Sequence, residues 1–278
     1  MNLGRLSGKI LVFGGPYSNF QATEAIKNIA EDEAIPKSNV ICTGDLVAYC
    51  GKPEETVDLI RAWGIHVVMG NCEESLGFSM DDCGCGFEED SKCSTLSVRW
   101  YNYARTRVSD RNKNWMSKLP REISFTLGDK SFHVIHGGVE NISQFVFDST
   151  DIELKHQQIA RAETDVMIGG HCGIPFGQSI NDAYWLNAGV IGMPANDGSN
   201  NGWYMTLEET QDNSVDADWH TLEFDFQASA RDMRNQAMGP EYHDALLSGL
   251  WPSMDVLPDQ EKAMQGRKIE LQRMALFG

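Results

Sequence analysis

The sequence predicts an α/β fold whose first half is a parallel sheet. Three observations predict it. Short apolar runs alternate with stretches of helical spacing between residues 9 and 69. The apolar runs end in glycine turns, and a proline stands at the start of the second helical stretch. The length, 278 residues, suits one large domain with decoration better than two.

The elements follow in order. Residues 9–13 form a β run ending in Gly14-Gly15-Pro16, and 20–31 have helical spacing at Ala22, Ile26 and Ile29. A second run, 40–43, ends at Gly44-Asp45. Residues 53–63 read as a helix with Pro53 first and Val57, Leu59, Ile60 and Trp63 on its apolar positions. A third strand, 66–69, ends at Gly70-Asn71. This βαβαβ order implies right-handed crossovers, with functional groups at the carboxyl ends of the strands.

The middle, 81–120, breaks the rhythm. It opens with Asp81-Asp82-Cys83-Gly84-Cys85-Gly86-Phe87 and continues as a helical pair. Between 92 and 121 eight basic residues stand against one acid, Asp110. Such a patch is either a solvated helical face or a basic cap over an anionic pocket. Strands then resume: 123–127 and 131–136 flank the turn Gly128-Asp129, and 166–169 end at Gly170-His171. Residues 184–188 and 202–207 are expected to continue a second sheet, and the chain from 227 onward to be helical, broken at Pro252 and Pro258. The expected organisation is a main domain over 1–225, with a basic, cysteine-bearing insert at about 81–121, and a helical extension over 226–278 packed on it.

Hydrophobic residues make up 41% and charged residues 23%, which excludes a disordered chain. A net charge of −17 disfavours nucleic acid and anionic membranes as partners, yet leaves room for a small phosphorylated substrate where a metal reverses the local sign. No apolar run approaches membrane-spanning length, and the N-terminus runs into a strand, so a cytoplasmic protein is expected. The seven cysteines are then read as thiols or ligands rather than disulfides. Oligomeric state stays open.

Four motifs share one plan: an apolar strand, a glycine turn, then a polar side chain able to bind metal. They are Gly44-Asp45, Gly70-Asn71-Cys72-Glu73, His136-Gly137-Gly138 and Gly169-Gly170-His171. Glycine turns the backbone sharply, so the next side chain projects beyond the sheet. A carboxylate, an amide oxygen and two imidazoles make a mixed N/O set suited to Mn, Fe, Zn or Co. Singly, each has a plain reading as a turn or cap; four together are much less expected by chance.

In this order the motifs resemble the calcineurin-like metallophosphoesterases, especially the small bacterial phosphodiesterase branch. The resemblance extends to Ile174-Pro175-Phe176 and to the turn at 187–194, and spans roughly residues 8–210 outside the insert. It implies a four-layer αββα sandwich of two packed mixed β-sheets flanked by helices. It also implies hydrolysis of a small phosphodiester or phosphomonoester through a metal-activated water, with Asp45, Asn71, His136 and His171 as metal ligands.

The departures are selective. Where the family's first motif has an Asp and a His, Gly15 and Tyr17 stand here, and Gly173 replaces a second His after His171. The family's three lost residues serve one metal, so the other's set is complete. Three readings follow: a hydrolase with one ion; a rebuilt two-ion site using Cys50, Cys72, Cys172 or the Cys83, Cys85 and Cys93 group; and a non-catalytic metal-binding or interaction scaffold. For catalysis, Glu73 is the nearer general-acid candidate beside Asp45, Asn71 and His136, though it suits a helix N-terminus equally. Tyr17 and Asn19 are candidates for substrate contact, and Asn187 for fixing the His171 loop. His133 faces away from His136 on its strand, and His66, His156, His220 and His243 read as structural or surface groups.

Overall fold

The computed structural model describes residues 1–88, 90–211, 214–236 and 238–277. Its first half follows the predicted alternation. Strand β1 (Asn2–Leu6) precedes β2 (Ile10–Phe13), helix α1 (Phe20–Asp32), β3 (Val40–Cys42), α2 (Pro53–Trp63), β4 (His66–Val67) and α3 (Asn71–Gly77). Strands β2, β3 and β4 pair in parallel. The two crossover helices form for local reasons. Asn19 caps α1 by accepting the Ala22 N–H, and α2 begins on Pro53 with Glu54 and Glu55 in its first turn.

The insert supplies α4 (Lys92–Arg105) and α5 (Asp110–Met116). Then come the hairpin β5 (Glu122–Leu127) and β6 (Lys130–Ile135), helix α6 (Ile152–Ala162), and strands β7 (Val166–Gly169), β8 (Phe176–Ile180) and β9 (Ala183–Asn187). The chain closes with β10 (Gly202–Glu209), β11 (Val215–Leu222), helices α7 (Phe226–Asn235), α8 (Pro240–Ser248) and α9 (Asp259–Lys262), and strand β12 (Met274–Leu276).

Two six-stranded mixed sheets result, ordered β1-β5-β6-β7-β9-β8 and β12-β11-β10-β2-β3-β4. Alternation along β2 shows how they stack. Ile10 and Val12 point between the sheets, where they join Ile41, Phe125, Phe132, Val134 and Ile168. Leu11 and Phe13 point outward to meet Ala22, Ile26, Val57 and Ile60 of α1 and α2. With both faces covered, every residue of β2 is buried, hence its unbroken apolar run. On the far side Ile135, Met167 and Trp185 pack with Ile159 of α6. The layers are therefore helix, sheet, sheet, helix.

Three expectations need correction. Residues 202–207 do not continue the second sheet: β10 pairs antiparallel with β2 in the first. Strand β1 was not foreseen, because an edge strand exposed along most of its length carries no alternation. The C-terminal stretch is not helical to its end, since β12 adds to the edge of β11. Among the described residues no helix is long and apolar enough to cross a membrane.

Candidate metal centre

The carboxyl ends of four strands meet at one place. Asp45 follows β3, Asn71 opens α3 after β4, His136 follows β6 and His171 follows β7. Each sheet thus delivers two side chains. Asp45 and His171 both have left-handed backbones, with φ of 59° each. Such conformations cost energy and persist where the surroundings impose them. Here the imposition is steric: a Cβ on Gly44 would stand 2.9 Å from His136 Nδ1 and 2.8 Å from the Gly70 nitrogen. Only glycine lets these turns close on each other.

His136 lies at the middle of the group. Its Nδ1 is 2.7 Å from the Thr43 carbonyl oxygen. A carbonyl only accepts, so Nδ1 carries a hydrogen, and Nε2 is the nitrogen that would present its lone pair to a metal. That Nε2 lies 3.0 Å from Asn71 Oδ1, 3.0 Å from His171 Nδ1 and 3.3 Å from Asp45 Oδ2. Asn71 is oriented by donation from Nδ2 to the Cys83 carbonyl at 2.8 Å, which turns Oδ1 toward the histidine. Four atoms with lone pairs therefore face one another, all on buried residues. Such a set calls for a cation. The edge of a tetrahedron with metal–ligand bonds of about 2.0–2.1 Å is about 3.3 Å, so the spacing and the N/O chemistry both fit a divalent transition metal.

The protonation pattern expresses the same frustration. Burial works against a charged His136, but Asp45 beside it outweighs burial and raises its pKa. Asp45 is lowered reciprocally, by His136 against its own burial. Burial and the charge on His136 push His171 down to about 3, leaving that ring neutral.

Glu73 sits directly behind. Its Oε2 accepts the Asp45 and Gly70 N–H groups at 2.7 and 3.0 Å, and its Oε1 accepts the Leu46 N–H at 2.7 Å. Burial and Asp45 push its pKa up to about 7. It is 0% exposed and has no face toward solvent. Asn187 holds the other side: its Nδ2 donates to the Gly170 carbonyl at 3.0 Å.

Of the two residues expected at the substrate, Tyr17 lines a cavity that also reaches His171. Asn19 does not reach it. Its Oδ1 caps α1 and accepts from Ser229 Oγ at 2.7 Å, and its Nδ2 donates to the Gly192 carbonyl. The cavity wall was not legible in any motif: Phe145, Tyr242 and Trp251 come from irregular chain and from α8. Phe145 lies over His171 with ring centroids 4.2 Å apart.

The insert borders this cavity through Phe87 and Cys93, but not as a basic cap. None of its eight cationic side chains borders it. Arg99, Arg111 and Arg121 pair with Glu241, Asp58 and Glu74, and Arg107 lies on the Tyr103 ring. The patch is an exposed, ion-paired helical face. The cysteines also depart from expectation. Cys83 and Cys85 form a disulfide over Asn71, rather than free thiols or ligands. Asp45, His136 and His171 make the sole His/Cys/Asp/Glu cluster with metal-binding spacing among the described residues, and no cysteine joins it. Burial pushes the Cys50, Cys72 and Cys172 thiols upward, Cys172 to about 12.

Comparison with known proteins agrees with this geometry. The sequence model of the calcineurin-like phosphoesterase superfamily domain matches residues 16–212. An uncharacterized protein of Methanocaldococcus jannaschii is 25% identical over 224 residues, covering 72% of this chain and 82% of its own. Among solved structures, a metallophosphoesterase from Sphaerobacter thermophilus superposes with a TM-score of 0.66 at 18% identity, covering 88% of this chain and 100% of that one. A hypothetical protein from Pyrococcus horikoshii gives 0.73 at 14% identity, covering 90% and 100%.

Proposed function

The chain belongs to the calcineurin-like phosphoesterase superfamily, and from that premise we propose that it is a hydrolase of a small phosphodiester or phosphomonoester that works with one divalent metal ion. One observation carries the reading: Asp45, Asn71, His136 and His171 turn ligand atoms toward one buried centre, at distances that suit a shared divalent cation. Mn, Fe, Zn or Co suits that donor set. When bound, the ion supplies Lewis acidity toward a phosphoryl oxygen and toward the attacking water.

The chain's own residues do the rest. Thr43 fixes the His136 tautomer, and Asn187 fixes the turn that presents His171. The Cys72 N–H donates to Asp45 Oδ1 at 3.3 Å, which leaves Oδ2 for the shared centre. Glu73 acts through the Asp45 backbone rather than as an acid toward substrate. Tyr17 offers a neutral hydroxyl on the cavity side.

A single ion is supported by what fills the neighbouring space. A Cβ on Gly15 would stand 2.6 Å from Tyr17 Cζ and 2.6 Å from Val190 Cγ1. A Cβ on Gly173 would meet the Trp251 ring at 3.3 Å. Aromatic rings thus occupy the room that side chains at 15 and 173 would need.

A second reading, a non-catalytic metal-binding scaffold, draws on the same absence of ligands at Gly15 and Gly173. Metal analysis together with hydrolysis of bis(4-nitrophenyl) phosphate decides between them. The hydrolase reading expects about one equivalent of metal and turnover, both lost in His136→Ala. Metal without turnover under added Mn, Fe, Zn or Co leaves the scaffold.

A further inference from the structure

Resting on the phosphoesterase reading above, we infer that the cavity beside His171 seats an uncharged aromatic ester group, so that the substrates are aryl phosphoesters. The cavity is partly open to solvent and has a volume of about 70 Å3. Tyr17, Tyr49, Phe145, Tyr242 and Trp251 wall it, and His171 belongs to the same lining. Tyr49 stacks on Tyr242 at 4.4 Å and meets Tyr17 edge-on at 4.7 Å. No lysine or arginine borders the cavity. A phosphoryl group meets no cationic side chain along that wall, whereas a planar ring finds several faces and edges. The anionic end of a bound ester therefore lies at His171 and the metal ligands, and the ester group lies among the rings.

The leaving-group side gives an independent reason. An alkyl oxide departs with difficulty unless an acid protonates it. Glu73, the nearest buried acid behind Asp45, has both oxygens held by backbone N–H groups. Tyr17 is 5% exposed and lines the cavity together with His171. It can donate a hydrogen bond to a departing oxygen. An aryl oxide, whose conjugate acid titrates near 10 like tyrosine, asks for no more than that. In the reaction, water forms the new P–O bond and its proton passes to solvent. The aryl oxide leaves with the electron pair of the broken P–O bond and takes a proton from solvent.

Calorimetric titration of the Mn-loaded protein with phenyl phosphate, ethyl phosphate and inorganic phosphate tests the assignment. Phenyl phosphate is expected to bind at least about tenfold more tightly than ethyl phosphate. Tyr242→Leu and Trp251→Leu should each cut that preference about two- to tenfold, the value of one ring contact. Tyr242→Phe should retain it, which controls for folding. Equal affinities for the two esters, or a preference intact in both leucine variants, overturns the inference. Failure of the two readings is separable. Aryl preference without cleavage of any ester removes the phosphoesterase reading and leaves the pocket. Cleavage of alkyl esters as fast as aryl esters removes the pocket assignment and leaves the phosphoesterase.

Discussion

Glu73 grips Asp45 by the backbone: its Oε2 accepts the Asp45 N–H at 2.7 Å, while the Asp45 carboxylate turns away to His136. The Glu73 carboxylate also accepts the Leu46 and Gly70 N–H groups, so one buried acid sets the turn after β3 and the start of α3 together. Glu73→Gln replaces one acceptor oxygen with a donor and leaves at least one of three buried N–H groups unpaired. The expected cost is about 1–3 kcal/mol of stability and about a tenfold loss in metal affinity. Denaturant unfolding and metal titration measure the two. A general acid would behave otherwise, with metal affinity intact and only turnover of poor leaving groups lost.

Removing the metal should lower thermal stability. With free ion at about one hundred times its Kd, linkage adds about 2.7 kcal/mol to the folded state. For a chain of this size that corresponds to a fall in Tm of about 5 °C or somewhat more on chelation. His136→Ala should show the same Tm with and without metal. A chelator-sensitive Tm in that variant would mean that His136 is not a ligand.

The placement of Asp45, Asn71, His136 and His171 at strand ends was legible because it is local. A glycine turn after an apolar run commits the next side chain whatever the remainder of the chain does. The two-sheet architecture was legible for the same reason in β2, β3, β4 and the β5–β6 hairpin, each with its own pattern. What escaped was non-local. Asn19 looked free for substrate, yet Ser229 and Gly192, far along the chain, take up its side chain. The run at 202–207 carries nothing that says which of two sheets it joins; only pairing with β2 decides. Phe145, Tyr242 and Trp251 carry no motif at all, since a cavity wall needs only apolar rings from any direction. The basic insert misled because charge counts along a sequence ignore the acids that meet it in space, such as Glu241 and Asp58.

Asn187 should matter to His171 without touching it. Its Nδ2 serves the Gly170 carbonyl and its Oδ1 accepts the Gly189 N–H at 2.8 Å. Asn187→Ala leaves both buried groups unpaired, at an expected cost of about 1–3 kcal/mol. Freed of that anchor, the left-handed turn at His171 should relax and weaken metal binding about tenfold. Unchanged metal affinity alongside a lowered stability would confine Asn187 to the fold.

The number of ions can be tested by putting a ligand back. Gly15 has φ of +44°, a backbone disfavoured for other residues, and its missing Cβ faces the Tyr17 ring. Gly15→Asp should therefore cost about 2–5 kcal/mol, from the left-handed conformation and overpacking together. It should not recruit a second ion, because the ring holds the space that the new carboxylate would need. Pairing it with Tyr17→Ala removes the obstruction, so the double variant should recover part of the lost stability, and any second equivalent of metal should be confined to it. The decisive comparison is metal content at saturation. One equivalent in the wild type and in Gly15→Asp supports a centre closed to a second ion by aromatic packing; two equivalents in Gly15→Asp alone would show that the ring yields and that the single-ion reading is wrong.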